Sequence, residues 1–223
     1  MGWKLPKFLS GMFGGLSDAA DSVPDQQSDQ PFKRLILMRH GHELDAERMA
    51  KQVAHSLAEY QRVFPDRPID AVLHSPAERT RRTAELLHNG LEASSMAEGG
   101  RTPALKEESW LSDEDGLRVK DFEYVENIEH LDDALETVCL VTHSTLTPKI
   151  AEILWTQTDE MAIKYATGDH ASMLVLDVPV QTWRKTGAAK PTVALAISQS
   201  ETLRGEEIMP AVQATIERGF THS

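Results

Sequence analysis

Only one cysteine, Cys139, occurs in this sequence, so no intrachain disulfide staples the fold. It lies in the apolar run TVCLVTH (137–143), where a small buried hydrophobe is the expected role. Positive charge is also scarce. Lys and Arg number 23 against 35 Asp and Glu, a net charge of −12. That balance argues against binding nucleic acid or an anionic membrane, both of which require a basic face. Long hydrophobic runs are missing too. The N-terminal stretch MGWKLPKFLSGMFGGLSDAADS has a short apolar part broken by Gly11, Gly14 and Gly15, a poor signal-peptide core and too short to span a bilayer. Gly2 is present, but Pro6 stands where a myristoylation signal needs Ser or Thr. The expectation is a flexible leader and linker over 1–31, with weak membrane or partner attachment through Trp3, Phe8, Met12 and Phe13 as the lesser reading. A reducing, cytoplasmic location is the simplest compartment.

What remains is ordinary globular material, with 40% hydrophobic and 26% charged residues. A chain of 223 residues suits one domain with a real core. Short apolar runs at 34–38, 69–75, 137–143, 171–178 and 192–198 predict strands, and amphipathic stretches between them predict helices. Met49, Val53, Leu57 and Tyr60 lie near i, i+4 spacing on one helix face. The stretch PAERTRRTAELLHNG predicts a second helix, with Ser75 and Glu78 as a capping box and Asn89-Gly90 as its stop. LTPKIAEILWTQ predicts another helix, and residues 92–136 read as a less regular acidic region. The alternation implies an α/β three-layer sandwich with a mainly parallel central sheet flanked by helices, spanning 32–200. Residues 201–223 read as a peripheral, partly helical tail.

Three predicted strands stop on polar side chains: Arg39-His40, His74-Ser75 and His143. In open α/β sheets ligands bind beyond the carboxyl ends of the strands, so parallel, adjacent strands bring these endings to one rim. Arg79 follows Ser75-Pro76 on the first turns of its helix, with Thr83 at i+4 on the same face. An arginine beside a helix N-terminus suits an anion held there. Pairing with Glu78 or Glu43 is the simpler alternative. His40 and His42, two apart, leave a metal pair open at this point, and HGHELD faintly resembles the His-x-His-x-Asp of metallo-β-lactamase-like hydrolases. Its acid, Asp45, comes one residue late, however, and no adjacent third histidine follows.

Taken in order, LMRHG, SPAERTRRTA and VTH resemble the signature of the histidine phosphatase superfamily, also called phosphoglycerate-mutase-like, over residues 33 to 198. The resemblance implies that His40 is the nucleophile that becomes phosphorylated, and that Arg39, Arg79 and His143 hold the phosphoryl oxygens. It implies no metal and no cofactor. Physical chemistry is compatible: neutral imidazole is a good nucleophile for phosphorus, and guanidinium forks supply charge stabilisation. Gly41 is read as making room for the approach of the phosphate. In mutase-like and broad phosphatase members a glutamate protonates the leaving oxygen. ALKEESW puts Glu107 in that register, with Glu108 as its neighbour. His42, His74 and His170 read as rim, structural or peripheral residues.

Only 59 residues separate Thr83 from His143, too few for the long helical lid of the mutases, and THS lacks the glycine that usually follows the second histidine. Residues 107 to 136 hold 12 acids against Arg118 and Lys120, a composition that would repel small polyanions if it bordered the mouth. The chain therefore resembles the small phosphohistidine-phosphatase-like branch. The expected substrate is a phosphorylated small molecule or a phosphohistidine protein. Two alternatives stand: a mutase-like or broad phosphatase using Glu107, and a catalytically weak module that binds phosphorylated partners.

Overall fold

The computed structural model describes residues 31–98, 101–113, 120–154 and 167–204, together with 206, 207 and 210. The leader, apart from its last residue, lies outside the described residues, as does nearly all of the tail beyond Arg204. Seven strands form one sheet: β1 (Lys33–Arg39), β2 (Ala71–His74), β3 (Ala104–Glu107), β4 (Thr137–Thr142), β5 (Met173–Val178), β6 (Thr192–Ile197) and β7 (Thr202–Arg204). Their order is β3-β2-β4-β1-β5-β6-β7. The four strands from β3 to β1 are parallel, whereas β5, β6 and β7 add antiparallel to their neighbours.

Alternation along the buried strands sorts side chains to two faces. Ile36 and Met38 of β1 pack with Val72, Cys139, Val141 and Val175 beneath α1 (Ala46–Val63) and α2 (Glu78–Glu98). Leu35 and Leu37 pack with Leu73, Leu140 and Leu174 beneath α3 (Asp121–Glu129), α4 (Leu146–Leu154) and Trp183. From β1 to β2 to β3 the chain moves one way along the sheet, and from β3 to β4 it turns back. Right-handed crossovers then put the helices on opposite faces. The expected three-layer α/β sandwich is present. Cys139 is fully buried, and burial pushes its thiol well above the ordinary value, so its role is packing. Among the described residues no helix is long and apolar enough to cross a membrane.

Three local expectations are corrected. Strand β3 lies inside the stretch read as irregular; its residues Ala104–Glu107 are all exposed, so no apolar run marked it. The tail read as partly helical is not one of them: Glu206, Glu207 and Pro210 are helical, after a short strand, β7, that ends at Arg204. Helix α2 runs through Asn89-Gly90 to Glu98, because Gly90 is where α1 comes closest: a Cβ there would meet Leu57 Cδ2 at 2.6 Å. The capping box does not form. Glu78 pairs with Arg81 and with Arg82 (2.9 Å), and the Ser75 amide donates to the Val141 carbonyl instead.

Candidate active site

The carboxyl ends of β1, β2 and β4 lie side by side, which places His40, Ser75 and His143 at one rim. The His40 amide donates to the Thr142 carbonyl (2.9 Å), and the Ser75 amide to Val141 (3.2 Å), so the ladder sets the height of each ending. Helix α2 is bolted to the same rim through Thr83. Its hydroxyl donates to the Arg79 carbonyl (2.7 Å) and accepts from the Gly41 amide (2.9 Å). Gly41 is needed at this point because a Cβ would meet Met49 Cγ of α1 at 2.6 Å. Glycine here lets the loop after β1 press against α1.

His40 is 6% exposed. Its Nδ1 lies 2.8 Å from the Gly41 carbonyl, which can only accept, so Nδ1 carries the proton and Nε2 the lone pair. Burial pushes its pKa below the ordinary 6.5, as do Arg79 and Arg39, while the Gly41 carbonyl opposes them. The ring is therefore neutral at pH 7. His143 sits 5.7 Å away, ring to ring, at 62°. Arg79 Nη2 donates to His143 Nδ1 (3.0 Å), which leaves the proton on Nε2, donated to Ser75 Oγ (2.9 Å). Burial pulls His143 down to about 4; Arg79 and His40 add to that and Asp113 opposes it.

Arg79 also donates to the Asp113 carboxylate (2.8 Å) and approaches Glu43 at 3.8 Å. Of the two simple pairings considered for it, Glu43 is present, while Glu78 turns to its own helix. A shallow cavity of about 230 Å³ opens here, lined by Glu43, Leu44, Glu78, Arg79 and Arg82. Arg39 donates to the Gly168 carbonyl and to His170 Nε2 (3.4 Å). Its Nε is buried with no hydrogen-bond partner among the described residues. This N–H is hydrogen-bonding capacity that the described residues leave unmet.

His40, Arg39, Arg79 and His143 thus converge. Glu107 lies exposed on the edge strand β3, its side chain with no hydrogen bond or ion pair among the described residues, and Glu108 pairs with Lys106 (2.7 Å). His74 is buried and donates from Nδ1 to the Ser75 carbonyl (2.8 Å), a structural role. His170, read as structural or peripheral, stands in the cluster, its ring 5.6 Å from His40 and 5.3 Å from His42. It arrives there because β5 runs antiparallel to β1, so the start of β5 meets the rim. Ala171 holds that loop in a left-handed conformation (φ 57°), its amide donating to the His40 carbonyl (3.2 Å) and its carbonyl accepting from Ser56 (2.6 Å). His42 donates its amide to Gln52 Oε1 (3.0 Å), and its Nδ1 is buried without a partner among the described residues. Among these residues no three His, Cys, Asp or Glu side chains are grouped to hold a metal.

No family model matches the sequence, and no curated protein is similar enough in sequence to match. Solved structures do resemble the chain. One, from Nakamurella multipartitia and provisionally described as the phosphohistidine phosphatase SixA, is 18% identical, covering 73% of this chain and 93% of its own, with a TM-score of 0.49. The phosphoglycerate mutase of Plasmodium falciparum is 14% identical over 73% of this chain and 89% of its own, again at 0.49. A mycobacterial glucosyl-3-phosphoglycerate phosphatase is 13% identical over 75% of this chain and all of its own, at 0.45. Each likeness is partial.

Proposed function

We propose that this chain is a metal-independent phosphatase of the histidine phosphatase type, hydrolysing phosphomonoesters or phosphohistidine through a phospho-His40 intermediate. The observation that carries this reading is the tautomer of His40. Its Nδ1–H is committed to the Gly41 carbonyl, which leaves the lone pair on Nε2, near enough to Arg39 and Arg79 to feel their charge. In the first half of the reaction Nε2 attacks phosphorus and the ester oxygen departs; in the second, water displaces the imidazole. Arg39 and Arg79 neutralise the phosphoryl oxygens as charge moves between attacking and leaving groups. The Nε2–H of His143, buried and neutral, rests on Ser75 Oγ and would turn from it to the same oxygens without bringing a net charge.

Hydrolysis of an aryl phosphate by the wild type and by His40→Ala tests the reading. Activity that is blocked by vanadate, insensitive to a chelator and absent from the variant supports it. Activity lost to the chelator and retained with vanadate would transfer the chemistry to a metal. A panel of a phosphohistidine protein, sugar phosphates and phosphoglycerates then ranks the substrate classes. A chain inactive on all of them would favour a module that only binds phosphorylated partners.

A further inference from the structure

We propose that Asp113, rather than Glu107, donates the proton to the leaving group, and that it reaches this position by holding Arg79 until a phosphate replaces it. This rests on the phosphatase reading above. Three carboxylates compete for the role, and their contacts separate them. Asp113 Oδ2 lies 2.8 Å from Arg79 Nη2 and its Oδ1 lies 3.4 Å from His143 Nε2, so it touches two of the groups assigned to the phosphoryl oxygens. Glu43 reaches only Arg79 Nε, at 3.8 Å, with half its side chain in solvent. Glu107 contacts neither among the described residues.

The placement of Asp113 is built in. Two residues earlier, Leu111 is fully buried in the core, and its carbonyl accepts from the Thr142 hydroxyl (2.8 Å). Thr142 immediately precedes His143, so one hydrogen bond ties the acid's segment to the strand end that carries the second histidine. An arriving phosphate needs the Arg79 N–H that the carboxylate holds. The exchange frees the Asp113 carboxyl group from Arg79 while the Leu111–Thr142 bond keeps its segment beside His143.

The steps balance. Nε2 of His40 forms the N–P bond while the bond from phosphorus to the ester oxygen breaks. The proton on Asp113, taken up from solvent or from the monoanionic ester, passes to that oxygen, so a neutral alcohol leaves and Asp113 becomes a carboxylate. In the second half this carboxylate takes a proton from water as the water oxygen attacks phosphorus and the N–P bond breaks. Inorganic phosphate departs, and Asp113 is again an acid.

The test compares two monoesters, 4-nitrophenyl phosphate with a good leaving group and a simple alkyl phosphate with a poor one. In Asp113→Asn, kcat/KM for the alkyl ester should fall about 10²–10⁴-fold, while that for the nitrophenyl ester falls less than about tenfold. Inorganic phosphate, used as a competitive inhibitor, should bind the variant at least as tightly as the wild type, since a competing carboxylate is gone. Asp113→Ala should repeat the pattern, and thermal midpoints verify folding. Equal losses with both esters, or the leaving-group-dependent loss appearing in Glu107→Gln or Glu43→Gln instead, would overturn the assignment while the phosphatase reading stands. A wild type inactive on both esters would overturn the assignment, and inactivity on a phosphohistidine protein as well, or a fully active His40→Ala, would overturn both.

Discussion

The two ends of the central strands carry buried charge in opposite ways. At the amino end, Lys33 Nζ donates to Glu136 and to the Asp133 carbonyl, both at 2.8 Å. Arg34 forks onto Asp177 at 2.7 and 3.0 Å and lies 3.7 Å over the Phe64 ring. The Asp70 carboxylate accepts from the Glu136 and Thr137 amides. One N–H of Arg34 goes unpaired there, but each of the three charges has a dedicated partner. At the carboxyl end Arg39 has carbonyl and imidazole partners only from its two terminal nitrogens, and Arg79 is shared among Asp113, Glu43 and His143. Buried charge that closes on its own partner holds a fold together. Charge that is shared or left open is available to a ligand.

Substitutions can break this contrast, and the largest effect belongs to the carboxyl end. His40→Ala should lower aryl phosphate turnover by about 10⁴-fold or more with an unchanged thermal midpoint, read by steady-state kinetics and calorimetry. Arg39→Ala should cost about 10³-fold in kcat/KM, again with little change in stability. At the amino end the pattern should invert. Asp177→Ala strands the buried Arg34 and should cost about 3 kcal/mol in denaturant unfolding, with kcat/KM per folded molecule unchanged. The last effect concerns pH. The folded chain disfavours charged His143, so the unfolded chain binds more protons below the ordinary value of 6.5. Stability should therefore fall as pH drops from 6.5 to about 4 and level off below that. His143→Gln should show a shallower fall in thermal midpoint over that range. His40 is depressed in the same direction, so the acid limb of activity should lie below pH 6.5.

How much of this was legible in the sequence follows the same divide. Strand ends that carry Arg39, His40 and His143 were visible because an apolar run breaks abruptly onto charge, and parallel neighbours align such endings. His170 carries no such mark, because a carboxyl-end pattern belongs to parallel strands, whereas β5 meets the rim with its start. Asp113 was hidden for a different reason. It is one of 12 acids between 107 and 136, and what singles it out is its contact with Arg79 and His143, set by the buried Leu111 and the Thr142 hydrogen bond. Asn89-Gly90 gave a stop signal that tertiary contact overrode, since Gly90 is used for helix packing against Leu57. Local pattern marks where elements begin and end; contacts across elements decide which polar residues meet.

The central claim is the covalent one, that His40 Nε2 takes the phosphoryl group. Acid-free quenching of the enzyme during turnover of an aryl phosphate, followed by peptide mass spectrometry, tests it directly. One phosphoryl group on the peptide containing His40, stable to alkali, labile to acid and absent from His40→Ala, is the predicted result. Turnover without any phosphorylated peptide, or with the phosphoryl group on another residue, would contradict it.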